Sequence, residues 1–264
     1  MLDQFKREIY YLRISIIDRC NLRCTYCMPA EGIKLKKHEE ILSFEEIEEV
    51  VRTAVKFGFD KFRLTGGEPL IRRDIVNLVA RLAKIDGVKT LAMTTNGSLL
   101  EKYAKELKTA GLHRLNISLD SLISQRYKEI TRGGNLEDVL SGIRAAKEAG
   151  FKNTKMNVVL IAGVNEDENF KMFAKENNME VRFIKKMDLK KGHFHEVEGG
   201  EGGNCSICNR LRLTADGKIR PCLFSDLEFD VRKQGIEAAL KNAIGEKPEK
   251  GDKALVREMI QIGG

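Results

Sequence analysis

Six cysteines form two triplets with a spacing typical of metal ligands, and no cysteine is left over. The first triplet has the spacing CxxxCxxC, and the second is a CxxC pair followed at a distance by a third cysteine. A closed structural metal site takes four protein ligands, whereas three thiolates leave one coordination position free for substrate, solvent or cofactor. The sequence therefore predicts two open metal centres, whose ligands are Cys20, Cys24, Cys27, Cys205, Cys208 and Cys222.

Length and composition fit a globular enzyme. The chain of 264 residues, 42% of them hydrophobic, is long enough for one α/β barrel or two smaller domains. Its first residues lack the apolar stretch of a signal peptide, and no apolar run approaches the length of a membrane helix. We therefore expect a cytoplasmic protein without membrane association. Disulfides do not persist in that reducing compartment, which favours metal ligation by the cysteines.

The charge pattern argues against a nucleic-acid partner. The 46 basic and 39 acidic residues give a formal charge of +7, and both signs are interleaved along the predicted helices. Only 6% of the residues are aromatic and none is Trp, so there is little material for a base-stacking platform. A small polyanion is the better candidate ligand.

Regular alternation of strands and helices indicates an α/β fold. Strands are expected at residues 11–17, 61–64, 90–94, 114–119, 155–161 and 180–184, with helices between them. Ser43 and Glu46 form the capping box of the first helix. Repeated β/α units of this kind predict a parallel sheet with right-handed crossovers, curved into a partial (β/α)6 TIM-like barrel.

Short polar or glycine-rich motifs follow several predicted strands, at the end where barrel enzymes carry their active sites. Besides the first cysteine triplet these are Gly66-Gly67-Glu68-Pro69, Thr95-Asn96-Gly97 and Asp120. Beyond residue 187 the pattern changes to a hairpin with an Asp-Gly turn, followed by helices expected at 227–244 and 253–260. We therefore expect a barrel domain over residues 1–187 and a cluster-binding α+β extension over residues 188–264.

The CxxxCxxC triplet after one strand and Gly66-Gly67-Glu68-Pro69 after the next resemble the radical S-adenosylmethionine (SAM) enzymes. Residues 12–29, 63–74 and 205–218, with the terminal Gly263-Gly264, resemble more narrowly the MoaA family, the GTP 3′,8-cyclases of molybdenum-cofactor biosynthesis. This resemblance covers both predicted domains. It implies a radical SAM lyase that uses SAM and two [4Fe–4S] clusters to convert GTP into 3′,8-cyclo-7,8-dihydro-GTP.

The resemblance also implies roles for individual residues. The first triplet would hold the SAM-binding cluster, and the second would hold a cluster whose open iron faces guanine. The residues implied near SAM are Tyr26, Gly66, Gly67, Glu68, Ser118 and Met187. Those implied at GTP are Arg13, Lys61, Arg63, Thr94, Lys155, Arg182, Arg210 and Arg212. A catalytic role is implied for Arg210 and Arg212. It is also implied for Gly263 and Gly264, because the family's Gly-Gly tail reaches into the active-site cavity.

In this family SAM is cleaved to methionine and a 5′-deoxyadenosyl radical. That radical takes the ribose C3′ hydrogen of GTP, and the carbon radical then attacks guanine C8. Inward-facing Arg and Lys side chains suit the triphosphate, because charge-assisted hydrogen bonds to phosphate are strong. The implied partners are GTP, a reductant protein and the next enzyme of the pathway, cyclic pyranopterin monophosphate synthase. The resemblance leaves a homodimer open.

Two departures from the family concern the substrate side. The segment between residues 187 and 205 is shorter than in typical members, and Lys185-Lys186 replace an acidic residue followed by an aromatic one. His193 and His195 support a rival interpretation, in which a histidine completes a Cys3His zinc site. Two other functions stay open: a radical SAM enzyme acting on a peptide or another substrate, and a zinc-stabilised RNA-binding protein.

Overall fold

The computed structural model describes residues 1–263, and the predicted catalytic residue Gly264 lies outside them. The strands in this part of the chain are β1 Tyr11–Ser15, β2 Lys61–Thr65, β3 Thr90–Thr95, β4 Arg114–Ser118, β5 Lys155–Leu160, β6 Glu180–Lys185, β7 Arg210–Leu213, β8 Lys218–Arg220 and β9 Phe229–Asp230. They form one sheet in the order β6-β5-β4-β3-β2-β1-β7-β8-β9.

The α-helices of the described residues connect the strands and cover the sheet. They are α1 Phe44–Lys56, α2 Ile75–Ala83, α3 Leu100–Thr109, α4 Ser124–Thr131, α5 Leu136–Glu148, α6 Phe170–Glu176, α7 Val231–Gln234, α8 Ile236–Gly245 and α9 Met259–Ile262. β1 to β6 are parallel, and the sheet stays open. The predicted partial (β/α)6 barrel is confirmed, and its six strands agree with the prediction to within two residues at either end.

The first helix begins where its capping box predicted. The backbone N–H of Ser43 donates to the Glu46 carboxylate at 2.7 Å, and the Glu46 N–H donates to the Ser43 hydroxyl at 3.2 Å. Two of the N–H groups that a helix start leaves without partners are therefore satisfied. This fixed entry places the apolar face of α1 against the sheet.

Strand residues alternate between an apolar helix-facing side and a polar inner side, as successive strand residues must. On β1, Leu12 and Ile14 are fully buried in the same core as Ile47 and Val51 of α1. The residues between them, such as Arg13, face the other way. The helices and the core therefore take one face of the sheet, and the inner face is left for polar side chains.

Cationic residues of β1, β2 and β7 stand side by side on that inner face. All three strands are parallel and pair in register, so equivalent positions form rows across the sheet. One row is Lys61, Tyr11 and Arg210, and the next is Arg63, Arg13 and Arg212. Residues far apart in sequence are thereby collected into a single patch.

The C-terminal part contains the predicted hairpin, since β7 and β8 are antiparallel. The helix predicted over 227–244 is wrong in its first half. β9 and the short α7, capped by the Asp230 side chain, precede Gly235, whose φ of 83° interrupts the helix before α8. The left-handed region is accessible to glycine at little steric cost, so this residue ends one helix and begins another.

The helix predicted over 253–260 is also wrong, because only Met259–Ile262 is helical. The backbone N–H groups of Leu255 and Val256 donate to the Asp226 carboxylate at 2.9–3.2 Å. A long-range carboxylate thus takes donors that a helix would have used.

The division into two domains at residue 187 stays a prediction, and a single sheet crosses that point because β7 pairs with β1. A second, small core lies beyond it and consists of Leu189, Phe224, Ala254 and Ile262. It joins the segment after β6 to the C-terminal residues. Every helix within residues 1–263 is too short or too polar to cross a lipid bilayer.

Candidate active site

A single cavity of about 330 Å³ is lined by all six cysteines. Its volume lies within the range of small-molecule sites, roughly 300–1,000 Å³. The loops after β1 to β4 form one wall, and the β7–β8 hairpin forms the other. The two triplets, which the sequence places at opposite ends of the chain, therefore face a common space.

The first triplet lies on the loop that follows β1. The N–H of Thr25 donates to the carbonyl of Ile130 in α4 at 2.9 Å, and this anchors the loop. Asn96, which follows β3, approaches the sulfur of Cys20 with its side-chain nitrogen at 3.9 Å. Neighbouring strand ends thus hold the loop and orient its thiols.

Burial raises the pKa of the Cys20 thiol to about 11 and that of Cys27 to about 12. The carboxylates of Glu68 and Asp120 act in the same direction on Cys20 and Cys27 respectively. Burial and Asp120 also hold the pKa of Cys24 well above its usual range. Metal and cluster ligation requires thiolates, so loading this triplet must release protons. All six cysteines are free thiols, and three per triplet fit a [4Fe–4S] cluster with one open iron.

The Gly66-Gly67 turn packs directly on the first cysteine loop. A Cβ on Gly67 would lie only 1.9 Å from the Arg19 carbonyl oxygen, so no side chain can be accommodated. The N–H groups of Gly67 and Glu68 donate to the carbonyls of Ile17 and Arg19 at 2.8 and 2.9 Å. Glycine is required here because the two loops touch backbone to backbone.

Glu68 has its carboxylate tied to the protein. It accepts from the N–H of Leu70 at 2.9 Å, the hydroxyl of Thr95 at 2.7 Å and the N–H of Asn96 at 2.7 Å. Burial raises its pKa to about 7 despite these donors. The side chain fastens the glycine turn to the end of β3.

The residues predicted near SAM all line the cavity: Tyr26, Gly66, Gly67, Glu68, Ser118 and Met187. Tyr26 is oriented by Asp120, whose carboxylate accepts the phenol at 2.6 Å and the N–H of Val159 at 2.7 Å. The sequence places Asp120 after a strand but predicts no function for it. In the structure Asp120 connects the first cysteine loop with β5.

The second triplet is assembled by the hairpin. Cys205 and Cys208 precede β7 and Cys222 follows β8, so antiparallel pairing brings the three thiols together. The guanidinium of Arg7, from the start of the chain, donates to the Cys205 carbonyl at 2.8 Å. A residue from the other end of the sequence therefore braces this site.

The zinc interpretation is not supported by the arrangement of side chains. Residues 1–263 contain no group of three or more His, Cys, Asp or Glu side chains that converges to hold a metal ion. His193 and His195 are both exposed. Thiolates that bind separate irons of a cluster need not converge on one point, so the second triplet fits a cluster better than a single zinc ion.

Tyr11 lies at the centre of the cationic patch. Arg63 Nε donates to its hydroxyl at 2.5 Å, while Lys61 Nζ and Arg210 Cζ lie 4.8 and 5.8 Å from its ring centroid. Burial by itself raises the pKa of this phenol, but the charges of Arg63, Arg13 and Arg210 lower it to about 7. Tyr11 thus supplies negative charge where the strands provide only cations.

Gly263 lies against the second row of cations. Its carbonyl accepts from Arg13 Nη2 and Arg212 Nη1, both at 3.2 Å, and a Cβ there would lie 2.8 Å from Thr65 Cγ2. Burial and the charge of Arg210 lower the pKa of Arg212 to about 10. Gly263 is therefore held at the site by the two arginines.

The structure divides the predicted GTP residues into two groups. Arg13, Thr94, Arg210 and Arg212 line the cavity. Lys61 and Arg63 lie behind them around Tyr11, and Arg63 also donates to the Thr94 hydroxyl at 3.2 Å.

Arg182 and Lys155 lie further out on β6 and β5. The ammonium of Lys155 pairs with Glu180, and Arg182 packs beneath Gly200. Lys185 and Lys186 are exposed. Within the described residues, the cavity lining does not include Lys155, Arg182, Lys185 or Lys186.

The segment after β6 docks onto the C-terminal residues. The N–H of Ala254 donates to the Leu189 carbonyl at 3.0 Å, and Lys190 pairs with Glu258 at 2.7 Å. Gly192 approaches so closely that a Cβ would lie 2.3 Å from the Asp252 carbonyl oxygen. The short connection still forms part of the cavity wall, through Phe194.

Comparison with known proteins places this site in a family. The radical SAM superfamily profile matches residues 14–174. A GTP 3′,8-cyclase of Thermodesulfovibrio yellowstonii is 45% identical over 88% of this chain and 87% of its own length. One from Alkaliphilus oremlandii is 41% identical over 100% of both chains. The chain belongs to the GTP 3′,8-cyclase family of radical SAM enzymes. Its relative from Alkaliphilus aligns over 320 positions, so several dozen of them have no counterpart in this shorter chain.

Solved structures with the same fold include native anSMEcpe with bound AdoMet, with a TM-score of 0.65 and 15% identity over 91% of this chain and 82% of that one. Streptococcus suis SuiB bound to its precursor peptide SuiA gives 0.63 and 14% over 91% of this chain, which covers 66% of SuiB. At these identities the likeness extends to the fold alone. Membership of the GTP 3′,8-cyclase family therefore rests on the sequence relatives.

Three residues that support the site were not predicted from the sequence: Tyr11, Arg7 and Lys247. Tyr11 carried a weak signal, since it precedes Arg13 by two residues and must share its face of β1. Arg7 and Lys247 carried none, because the carbonyls to which they donate belong to segments distant in sequence.

We expect the protein without bound nucleotide to contain one tyrosine that ionises near neutral pH. The phenolate absorbance of Tyr11 should appear with a midpoint of about 7 and be absent from Tyr11→Phe, while Tyr103→Phe keeps the step. Because the folded pKa lies below the ordinary value of 10.0, the stability gained from Tyr11 should be lost as pH falls through about 7. Identical pH titrations of the wild type and Tyr11→Phe would contradict the assignment.

Proposed function

We propose that this chain converts GTP into 3′,8-cyclo-7,8-dihydro-GTP in molybdenum-cofactor biosynthesis, and that its second triplet holds a second [4Fe–4S] cluster. One observation carries the proposal: both cysteine triplets and the arginines of two neighbouring strands line one cavity. A nucleotide held there lies between the two sets of thiols. The names of the relatives, GTP 3′,8-cyclase, agree with that placement.

The first triplet and the turn beside it are suited to SAM. A [4Fe–4S] cluster with bound SAM supplies, in this superfamily, the 5′-deoxyadenosyl radical that abstracts a substrate hydrogen. Cys20, Cys24 and Cys27 would hold that cluster. Gly67 lines the same wall of the cavity as Tyr26, which is held by Asp120.

The cationic rows are suited to the triphosphate. Arg13, Arg210 and Arg212 reach the cavity, and each donates to a carbonyl oxygen that a phosphate oxygen can replace or join. Charge-assisted hydrogen bonds of this kind contribute about 1.5–3 kcal/mol each. Three or four such contacts suffice to fix the triphosphate and hence the ribose.

Positioning is the main task left to the protein. The ribose must be held so that one hydrogen faces the radical source and guanine C8 lies beside C3′. Arg63 braces Thr94 and Tyr11 from behind, and Gly263 closes the space above Arg13 and Arg212. Exclusion of water and competing hydrogen donors from such a site also protects the radical.

The remaining partners follow from the chemistry. Reductive cleavage of SAM needs an electron, so we propose a reductant protein as donor. We also propose delivery of the product to cyclic pyranopterin monophosphate synthase, and a cytoplasmic location. The alternative function, modification of a peptide, is supported only by the similarity of this fold to that of SuiB.

The second cluster can be tested by iron content. Anaerobically reconstituted wild-type protein should hold about eight irons, and the Cys205/Cys208/Cys222→Ala variant about half of them. The variant should still cleave SAM to 5′-deoxyadenosine but form no cyclised nucleotide, because the first triplet is intact. Stoichiometric zinc in the wild type, with iron unchanged by the substitution, would refute the two-cluster proposal.

The position of Gly263 gives a separate test. Gly263→Ala places a Cβ 2.8 Å from Thr65 Cγ2 at a φ of 74°, so the carbonyl must move away from Arg13 and Arg212. Cyclised product should fall by about 10²-fold, the order expected for a misplacement of about 1 Å, while 5′-deoxyadenosine still forms. A Cβ on Gly245 meets no atom of the described residues within 4 Å, so Gly245→Ala is the control. Equal product yields from Gly263→Ala and the control would show that the tail does not position GTP.

A further inference from the structure

Lys247 is a buried lysine beside the second triplet. It is only 1% exposed, and its ammonium donates to the carbonyls of Arg210 at 3.0 Å and Pro221 at 2.5 Å. Neither acceptor carries a charge. Burial of an ammonium without a carboxylate is costly, so a nearby negative charge is expected to compensate it.

The two carbonyls place the ammonium between two cysteine-bearing segments. Arg210 lies two residues after Cys208, and Pro221 lies directly before Cys222. The ammonium therefore bridges the two sides of the hairpin that carry these thiols. An ammonium has three donors, and these contacts use two of them, which leaves one N–H for the sulfur of Cys208.

The segment that begins at Lys247 continues as a wall of the second triplet. A Cβ on Gly251 would lie 3.0 Å from Cys222 Sγ and 2.7 Å from Phe224 Cβ, so the backbone there approaches the sulfur closely. Arg7 donates to the carbonyls of Pro248 and Glu249 and also to that of Cys205. One structural unit thus fixes Lys247 relative to the cysteines.

The Lys247 ammonium also contacts the triplet itself, because it is hydrogen-bonded to the side chain of Cys208. The first triplet has the opposite surroundings, since the carboxylates of Asp120 and Glu68 lie near its thiols.

We infer that Lys247 is the counter-ion of the second cluster and raises its reduction potential. This inference rests on the proposed function, in which Cys205, Cys208 and Cys222 hold that cluster. One-electron reduction adds one negative charge to a four-iron cluster, and a fixed ammonium stabilises the reduced form more than the oxidised form. Net charge and hydrogen bonds to the sulfurs are the features by which proteins set such potentials.

The test isolates the second cluster. Full-length protein with Cys20, Cys24 and Cys27 replaced by Ala is reconstituted anaerobically, its iron is counted, and it is titrated with dithionite through low-potential dyes. In this background Lys247→Gln and Lys247→Met should shift the midpoint potential to more negative values with iron retained. Lys247→Arg, which keeps the charge, should stay near the parent, as should the exposed control Lys241→Met.

The possible failures are distinguishable. A parent variant without iron would overturn the second cluster, and the inference with it. Iron retained at an unchanged potential in Lys247→Gln and Lys247→Met would overturn the counter-ion alone. Loss of iron only in these two variants, with an unaltered far-ultraviolet dichroism spectrum, would overturn it in favour of a purely structural lysine. Met fills the buried space without a polar group, so it keeps the test available if Gln is unstable.

Discussion

The register between β7, β1 and β2 is the constraint on which the site depends. Parallel pairing aligns Arg63, Arg13 and Arg212 in one row, and strand alternation forces them onto the face away from the helices. Burial and the charges of Arg212, Arg63 and Arg210 push the pKa of Arg13 well below its ordinary value. Collecting like charges in a partly buried space opposes folding.

Acceptors within residues 1–263 offset part of this cost. The Tyr11 phenol accepts a hydrogen bond from Arg63, and the Gly263 carbonyl accepts from Arg13 and Arg212. A bound triphosphate would add negative charge beside these arginines, and stabilisation by about 2.7 kcal/mol is expected at a ligand concentration of 100 Kd. The concentration of cations on this face of the sheet therefore favours a polyanionic ligand.

The two cysteine triplets share a cavity but lie in opposite electrostatic surroundings. Asp120 and Glu68 flank the first, and Lys247, Arg210 and Arg212 flank the second. Negative surroundings favour a strongly reducing cluster, as cleavage of SAM requires, and positive surroundings favour a cluster that accepts electron density.

Local sequence predicts much of the fold, whereas the remaining features depend on contacts between segments distant in sequence. The six barrel strands, the capping box of α1 and the hairpin followed from alternation, spacing and turn chemistry. The helices expected at 227–244 and 253–260 failed because Gly235 interrupts one and Asp226 takes the N–H groups of the other. Tyr11, Arg7 and Lys247 act through partners distant in sequence, which periodicity does not reveal.

If one cavity holds GTP with its ribose C3′ hydrogen facing the radical source, that hydrogen must be transferred to 5′-deoxyadenosine. The most direct test is an anaerobic reaction of the reconstituted protein with SAM, a reductant and GTP deuterated at C3′. We expect deuterium in 5′-deoxyadenosine together with an equal amount of cyclised nucleotide. Unlabelled 5′-deoxyadenosine, with the deuterium still in intact GTP, would contradict it.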